Sequence, residues 1–335
     1  MNPDSRCLVI GAGLAGLSAA RCLHEAGFSV DVLDKSRAAG GRMSTRRGEG
    51  WSCDHGAQYF TARDPHFCAE VARWQQAGAA ALWMPRLSVF DAGGVRESGE
   101  TLQRFVGLPR MTAPARLLAE GLSLHTGLTV TALQREVDGW RIVSAEQGEL
   151  AQRFDAVVLA VPAPQAVPLL TPVSPALAAA AARGCMQGCW AVMLHFDVAP
   201  DLPFDAAFVN EGPLRWVARN GSKPGREGQE TWVLHASAAW SEAHIEDDSE
   251  AVVHALSEAF QALGGRASPR WSAHRWRYAI TDAAVEGGCL WHPEQGLGLC
   301  GDWLNGGRVE GAWLSGRALG QQMTNSLRAD LRARC

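Results

Sequence analysis

What most limits the folds open to this chain is its first 34 residues. The segment CLVIGAGLAGLSAARCLHEAGFSVDVLD, Cys7 to Asp34, sets an apolar run, three glycines, a helix-spaced stretch and a second apolar run in that order. Cys7 to Ile10 reads as a strand buried on both faces. Leu14 to Ala26 has helical spacing and stops at Gly27. Phe28 to Leu33 is a second strand, ending on Asp34. Gly11, Gly13 and Gly16 therefore form G-x-G-x-x-G between strand and helix, with Asp34 21 positions beyond Gly13. In such a βαβ unit the first glycine permits the tight turn, the second lets backbone approach a diphosphate, and the third allows close helix packing. The helix start, at Leu14 and Ala15, offers free N–H groups to the anion. Asp34 is placed to accept hydrogen bonds from ribose hydroxyls, so the expected ligand is a dinucleotide.

An export signal would also begin with an apolar run, but here Arg6 is offset by Asp4 and glycines break the run. Cleavage after it would remove the first strand. With a formal charge of -4 and a pI near 6.2, the chain has no broad basic field, so neither nucleic acid nor an anionic membrane is expected as a partner. Nine cysteines without a Cys-x-x-Cys pair, Cys185 and Cys189 being the nearest two, give no disulfide framework and no metal site. They read as thiols in a reducing cytoplasm. No apolar run reaches the ~18 to 20 residues of a membrane span.

Past Asp34 the sequence runs Lys35, Ser36, Arg37, Ala38, Ala39, Gly40, Gly41, Arg42. This resembles the second block of the flavin-containing amine oxidase superfamily, which belongs to the glutathione reductase type fold group. The resemblance implies FAD, with Lys35, Gly41 and Arg42 along its diphosphate; a guanidinium suits that task because it is always charged and bidentate. GLTVTAL (Gly127 to Leu133) resembles the strand whose valine, here Val130, meets the adenine. RFDAVVLAVPAPQA (Arg153 to Ala166) resembles the strand leading out of the flavin domain. LGLCGDWLNGGRVEGAWLSGRALG (Leu297 to Gly320) reads as strand, loop and a helix starting near Glu310 to Ala312. By resemblance Gly301 and Asp302 hold the ribityl or diphosphate part, and the helix start, Gly311 and Ala312, points at the flavin pyrimidine, where a helix N-terminus stabilises the anion of a reduced flavin.

DHGAQYFTARDPHF (Asp54 to Phe67), WVARNGSKP (Trp216 to Pro224), TWVLHASAAWS (Thr231 to Ser241), HRWRYA (His274 to Ala279) and GRVEGAWLSG (Gly307 to Gly316) together resemble the bacterial renalase branch. The likeness runs over essentially the whole chain. It implies an oxidase with non-covalent FAD that takes hydride from 2-dihydro or 6-dihydro isomers of NAD(P), gives NAD(P)+, and passes electrons to O2 as H2O2. It also implies cofactor contacts from Gly56, Ala57, Gln58 and Tyr59, and a nicotinamide site lined by Thr61, Asn220, His235 and Trp276. Cys300 adjoins the Gly-Asp pair, but nothing in that motif demands a thioether.

The expected fold is α/β: a Rossmann-like FAD-binding domain, discontinuous over 1–60, 105–165 and 290–335, with a mixed-sheet α+β substrate domain over 61–104 and 166–289. The active site is expected at their boundary. Hydride loss from a dihydropyridine restores aromaticity, so orientation in a dry pocket suffices without a general base. Amine oxidation is the alternative. It needs a neutral substrate nitrogen, and in that superfamily often an aromatic pair and a lysine. Of the two lysines Lys35 adjoins Asp34, which leaves Lys223 in a polar NGSKPG loop; Tyr59 and Tyr278 are the sole tyrosines available as a pair. Arg215, Arg219, Arg275 and Arg277 alternate with apolar and aromatic residues, and are read as solvated arginines on strands before being read as phosphate ligands.

Overall fold

Two backbones approach within touching distance where the glycine motif predicts it, and the nucleotide domain is assembled around that contact. The computed structural model describes residues 5–99 and 101–334. Strand Arg6–Ile10 lies inside a six-stranded sheet, flanked in parallel by Ser29–Asp34 and Ala156–Leu159. Ser123–Thr126 and Leu297–Leu299 extend the parallel set on either side, and Leu290–His292 closes one edge antiparallel. Leu8, Val9 and the whole of Ala156–Leu159 are inaccessible to solvent, as a sheet covered on both faces requires.

Gly11 turns the chain out of the first strand at φ +110, a left-handed conformation that favours glycine. A Cβ on Gly16 would overlap the Gly11 carbonyl oxygen, so helix Leu14–Glu25 can press onto the turn only with glycine there. The same device recurs at the far end of the chain. Helix Val309–Arg334 lies against Leu14–Glu25, and a Cβ on Gly316 would overlap the Ala15 carbonyl oxygen. The helix starts within a residue of its expected position, and from its first turn Glu310 Oε1 accepts the backbone N–H groups of Arg63 (2.6 Å) and Asp64 (2.7 Å).

A second sheet of seven strands is mixed, in the order Arg270–Ala283, Cys185–Phe196, Glu230–Ala236, Leu214–Arg219, Ala206–Val209, Leu87–Asp91, Gly94–Glu97. All neighbours are antiparallel except Ala206–Val209 with Leu87–Asp91. Strand alternation divides its faces. Trp190, Val192, Leu194, Trp232 and Leu234 pack with Val252, Leu256 and Phe260 of helix Ser249–Ala262. Met193, Trp216, Ala218 and Val233 face the other way, into the core shared with the first sheet. The β strand expected from Gly127 starts at Val130 instead and belongs to a separate three-stranded sheet with Gly139–Ser144 and Gly148–Glu149.

Replacing Gly316 by valine must push the two helices apart. The expected cost is about 1–3 kcal/mol, seen as a lowered urea midpoint; an unchanged midpoint would show that the helices have room to separate.

Candidate active site

The carboxyl ends of the parallel strands and the inner face of the second sheet enclose one cleft of about 2430 Å³. Its nucleotide end is built by the motif. Helix Leu14–Glu25 has Gly13 as N-cap with no side chain capping it, and a Cβ on Gly13 would meet nothing within 4 Å. Open space in front of uncapped helix N–H groups is what a diphosphate needs. Asp34 lies there too, its oxygens steadied by Ala12 N (2.6 Å) and Ser36 N (2.7 Å). Each carboxylate oxygen keeps a further lone pair for a ribose hydroxyl. Gly13, Leu14, Ala15, Lys35, Gly41 and Val130 line the same end, whereas Gly16 sits behind it, where its packing role puts it.

Arg42 meets Asp302 through two parallel hydrogen bonds, Nη1 to Oδ2 at 3.0 Å and Nη2 to Oδ1, and Nη1 also reaches Ala279 O at 3.1 Å. The two cofactor blocks, 260 positions apart, are thus joined directly. Arg42, expected along the cofactor diphosphate, is also the partner of Asp302. Gly301 N is held by Ser315 Oγ at 2.9 Å, and Gly301, Asp302 and Ala312 line the cleft. Gly311 does not; a Cβ there would overlap Asn305 O, so its role is the turn into the helix.

The turn Asp54 to Tyr59 forms the next wall. Ala57 N donates to Arg42 O at 2.9 Å, and a Cβ on Gly56 would overlap that same oxygen, so the turn lies flat on the Arg42 backbone. His55, Gly56, Ala57, Gln58 and Tyr59 all line the cleft. Opposite them, cross-strand register sets Trp216, His235, Ala191 and His274 in a row, with Trp276 paired to Cys189 beside it. The His55 carbonyl accepts both His235 Nε2 (3.1 Å) and Trp276 Nε1 (3.0 Å). Since a carbonyl can only accept, His235 carries its proton on Nε2, and Nδ1 is left as an acceptor. Trp276 stacks on His55 with centroids 5.2 Å apart.

Of the four residues expected at the nicotinamide site, Thr61, His235 and Trp276 line the cleft. Asn220 does not. It is buried behind the wall, where Oδ1 accepts Asp54 N (3.1 Å) and Nδ2 donates to Ser52 O (3.0 Å), so its amide braces a hairpin. The sequence reading missed Trp216. It lines the cleft, contacts Tyr59 at 5.5 Å between centroids, and its buried Nε1 has no acceptor among the described residues. Tyr59 and Tyr278 line the cleft but make no ring pair among the described residues; the ring partners of Tyr59 are Trp216 and Trp83. Lys223 is wholly enclosed and outside the cleft lining, bound to Asp54 and Gln58. Arg275 and Arg277 turn to Glu246, and Arg219 to Glu230, as solvated strand arginines do.

Burial, with His274, Arg46 and His235 adding to it, holds His55 down at about 3, and burial holds His195 and His235 down at about 4. Burial and Arg46 lower His274 as well. The histidines of this wall are therefore neutral at pH 7. Cys189, in the cleft, is pushed by burial up to about 12 and is no nucleophile.

Folded values below the ordinary 6.5 mean that the unfolded chain binds more protons between pH 6.5 and 4, so stability falls as pH falls through that window. For one buried histidine such as His55 the loss from pH 7 to 5 is about 2 kcal/mol. Urea midpoints are expected to be level above pH 7 and to drop from 6.5 to 5, less steeply in His55→Asn. A flat profile to pH 5 would refute buried neutral histidines.

A family model described as NAD(P)-binding Rossmann-like domain matches residues 9–72, and one described as flavin containing amine oxidoreductase matches 77–323. The 4,4'-diapolycopene oxygenase of Methylomonas sp is 43% identical over 65 residues, which is 19% of this chain and 13% of that protein. The hydroxyneurosporene desaturase of Rubrivivax gelatinosus is 34% identical over 116 residues, 30% of this chain and 22% of that one. The chain thus spans about a fifth or less of the length of these curated relatives. The solved cyclohexylamine oxidase from Brevibacterium oxydans superposes with a TM-score of 0.75 at 13% identity, covering 97% of this chain and 100% of that one. An oxidoreductase from Methanosarcina mazei gives 0.68 at 16% identity, covering 94% and 100%. With the glycine cradle, the Arg42–Asp302 junction and a model match over residues 77–323, the chain belongs to the flavin-containing amine oxidoreductase family.

Proposed function

We propose that this protein is an oxidase with non-covalent FAD that takes hydride from 2-dihydro or 6-dihydro isomers of NAD(P), returning NAD(P)+ and passing the electrons to O2 as H2O2. The observation that carries this reading is the charge of the cleft. In a chain with net charge -4, its lining holds Lys35 and nine arginines against Asp34, Asp302 and Glu310. Lys35, Arg37 and Arg42 flank the nucleotide end, and Arg275 and Arg277 are paired with Glu246. That leaves Arg46, Arg47, Arg63, Arg215 and Arg308 without a carboxylate partner among the described residues. Such a cleft attracts a substrate bearing phosphates and repels an ammonium. Its volume also exceeds the roughly 300–1,000 Å³ of a single small-molecule site, leaving room for two dinucleotides.

FAD would supply hydride acceptance, and Gly13, Leu14, Ala15, Asp34, Arg42 and Asp302 would hold it. The protein's share of the chemistry is orientation. Trp276, fixed by the His55 carbonyl, offers a flat face; His235 Nδ1 offers an acceptor to a carboxamide N–H; Thr61 adds a hydroxyl. No base is required, in keeping with a wall of neutral histidines. Cys300, beside the Gly301–Asp302 pair, is buried and outside the cleft lining, and Cys189 in the cleft is pushed up by burial, which favours a flavin held without a thioether; the free cysteines suit a reducing cytoplasm.

Oxidation of a small amine is the second reading, favoured by the family itself. Against it stand the arginines and a lysine enclosed away from the cleft.

Anaerobic mixing separates the two. The expected outcome is rapid flavin bleaching by the 2-dihydro or 6-dihydro isomer, at a rate level from pH 6 to 8, and none by 4-dihydro NADH or benzylamine. Bleaching by an amine, faster as pH rises and the ammonium deprotonates, would overturn the proposal. Arg215→Gln is expected to raise KM for the dihydro isomer about tenfold with kcat little changed.

A further inference from the structure

The most enclosed charged side chains among the described residues lie just behind the cleft wall. Asp54 is inaccessible to solvent, and its Oδ2 accepts Arg226 Nη2 (2.6 Å), Arg226 Nε (3.2 Å) and Lys223 Nζ (3.3 Å). Its Oδ1 accepts Thr45 Oγ1 at 2.6 Å and Met111 N at 3.3 Å. Burial raises the Asp54 carboxyl, but Lys223, Arg226 and Thr45 outweigh it and hold it at about 2. One arginine already neutralises one carboxylate, so the Lys223 charge is surplus to balance. Burying a surplus ammonium is costly, and burial lowers its affinity for the proton. Packing against Trp83, whose ring centre is 5.6 Å from Nζ, would be served as well by methionine.

What methionine could not supply, and the Lys223 amine does, is a donor aimed at Gln58. Lys223 Nζ lies 3.0 Å from Gln58 Oε1, which fixes the amide so that Nε2 points to Asp54 O (2.7 Å) and Gly56 O (3.1 Å). Those carbonyls belong to the turn whose other side lines the cleft, lies on the Arg42 backbone and receives His235 and Trp276 at the His55 carbonyl. The two carbonyls orient the amide and the Lys223 amine anchors its oxygen, so the side chain is pinned at both ends; without Lys223 the Gln58 oxygen loses its donor and the amide is tethered on the carbonyl side alone.

We propose that Lys223 is a positioning residue for the flavin site, acting through the Gln58 amide to hold the Asp54–Tyr59 turn in the shape that binds the cofactor. This rests on the cleft being the flavin site and is independent of which substrate is oxidised.

The test is FAD titration of apoprotein from wild type, Lys223→Met, Gln58→Met and the double variant, followed by flavin fluorescence, with thermal melts of each apoprotein and visible circular dichroism of each FAD complex. Lys223→Met is expected to bind FAD at least tenfold more weakly, with an altered flavin dichroism band. The double variant should bind no more weakly than Gln58→Met alone, because one acts through the other. Wild-type affinity and an unchanged band in Lys223→Met, with only a lower melting temperature, would overturn the proposal. So would losses in the double variant that multiply. Should Lys223→Met fail to fold, Gln58→Leu, which leaves the Asp54 ion pairs intact, carries the same test: unchanged FAD affinity overturns it. Failure of wild-type apoprotein to take up FAD would instead refute the flavin assignment of the cleft, on which this proposal rests.

Discussion

Backbone pressed against backbone is the constraint on which the structure depends. At Gly16 against Gly11, at Gly316 against Ala15 and at Gly56 against Arg42, the separation leaves no room for a single methyl group. These three contacts fix, in turn, the nucleotide turn, the last helix across it and the wall of the cleft. Packing this close is set by covalent geometry and is indifferent to side-chain rotamers, so the site it frames is already shaped before a ligand arrives.

That kind of constraint is legible in a sequence because only glycine satisfies it. The turn from Gly11 to Gly16, the strands either side, Asp34 and the Gly301–Asp302 pair could all be placed from spacing and resemblance. Strand faces were legible only in part. Alternation within Glu230–Ala236 does set His235 opposite Trp232 and Leu234, but which face looks into the cleft depends on where helix Ser249–Ala262 packs. For the same reason Trp216 passed as one tryptophan among thirteen.

Long-range polar pairs left no local trace. Asn220 and Lys223 sit in NGSKPG, a stretch whose glycines, serine and proline read as a solvated loop. In the fold that loop is carried under the strand Trp51–Asp54, and its polar groups are enclosed with Asp54, Ser52 and Gln58. Arg226, three residues on, completes the set through Asp54. Nothing in the spacing of residues 54, 58, 220, 223 and 226 announces a cluster, because it forms only once two sheets have been brought face to face. The Arg42–Asp302 pair is the same case: each residue was identified as a phosphate or sugar ligand, and their partnership across 260 positions was not readable.

The arrangement has an electrostatic logic that ties these parts together. Burial is the main cause that keeps the histidines of the wall neutral, and Arg46, on the positive rim that would attract phosphates, adds to it at His55, His195 and His274. In the function proposed above, a charged histidine there would oppose the cation formed when a dihydropyridine loses hydride. Behind the wall, the surplus positive charge of Lys223 and Arg226 is turned inward to Asp54 and to carbonyl and amide oxygens, not to the cleft. Positive charge thus reaches the ligand at the rim and at the nucleotide end, while the middle of the cleft is lined by uncharged rings. That separation suits the reaction proposed above, in which the reacting ring would gain positive charge and the negative charge of the substrate lies on its phosphates, away from that ring.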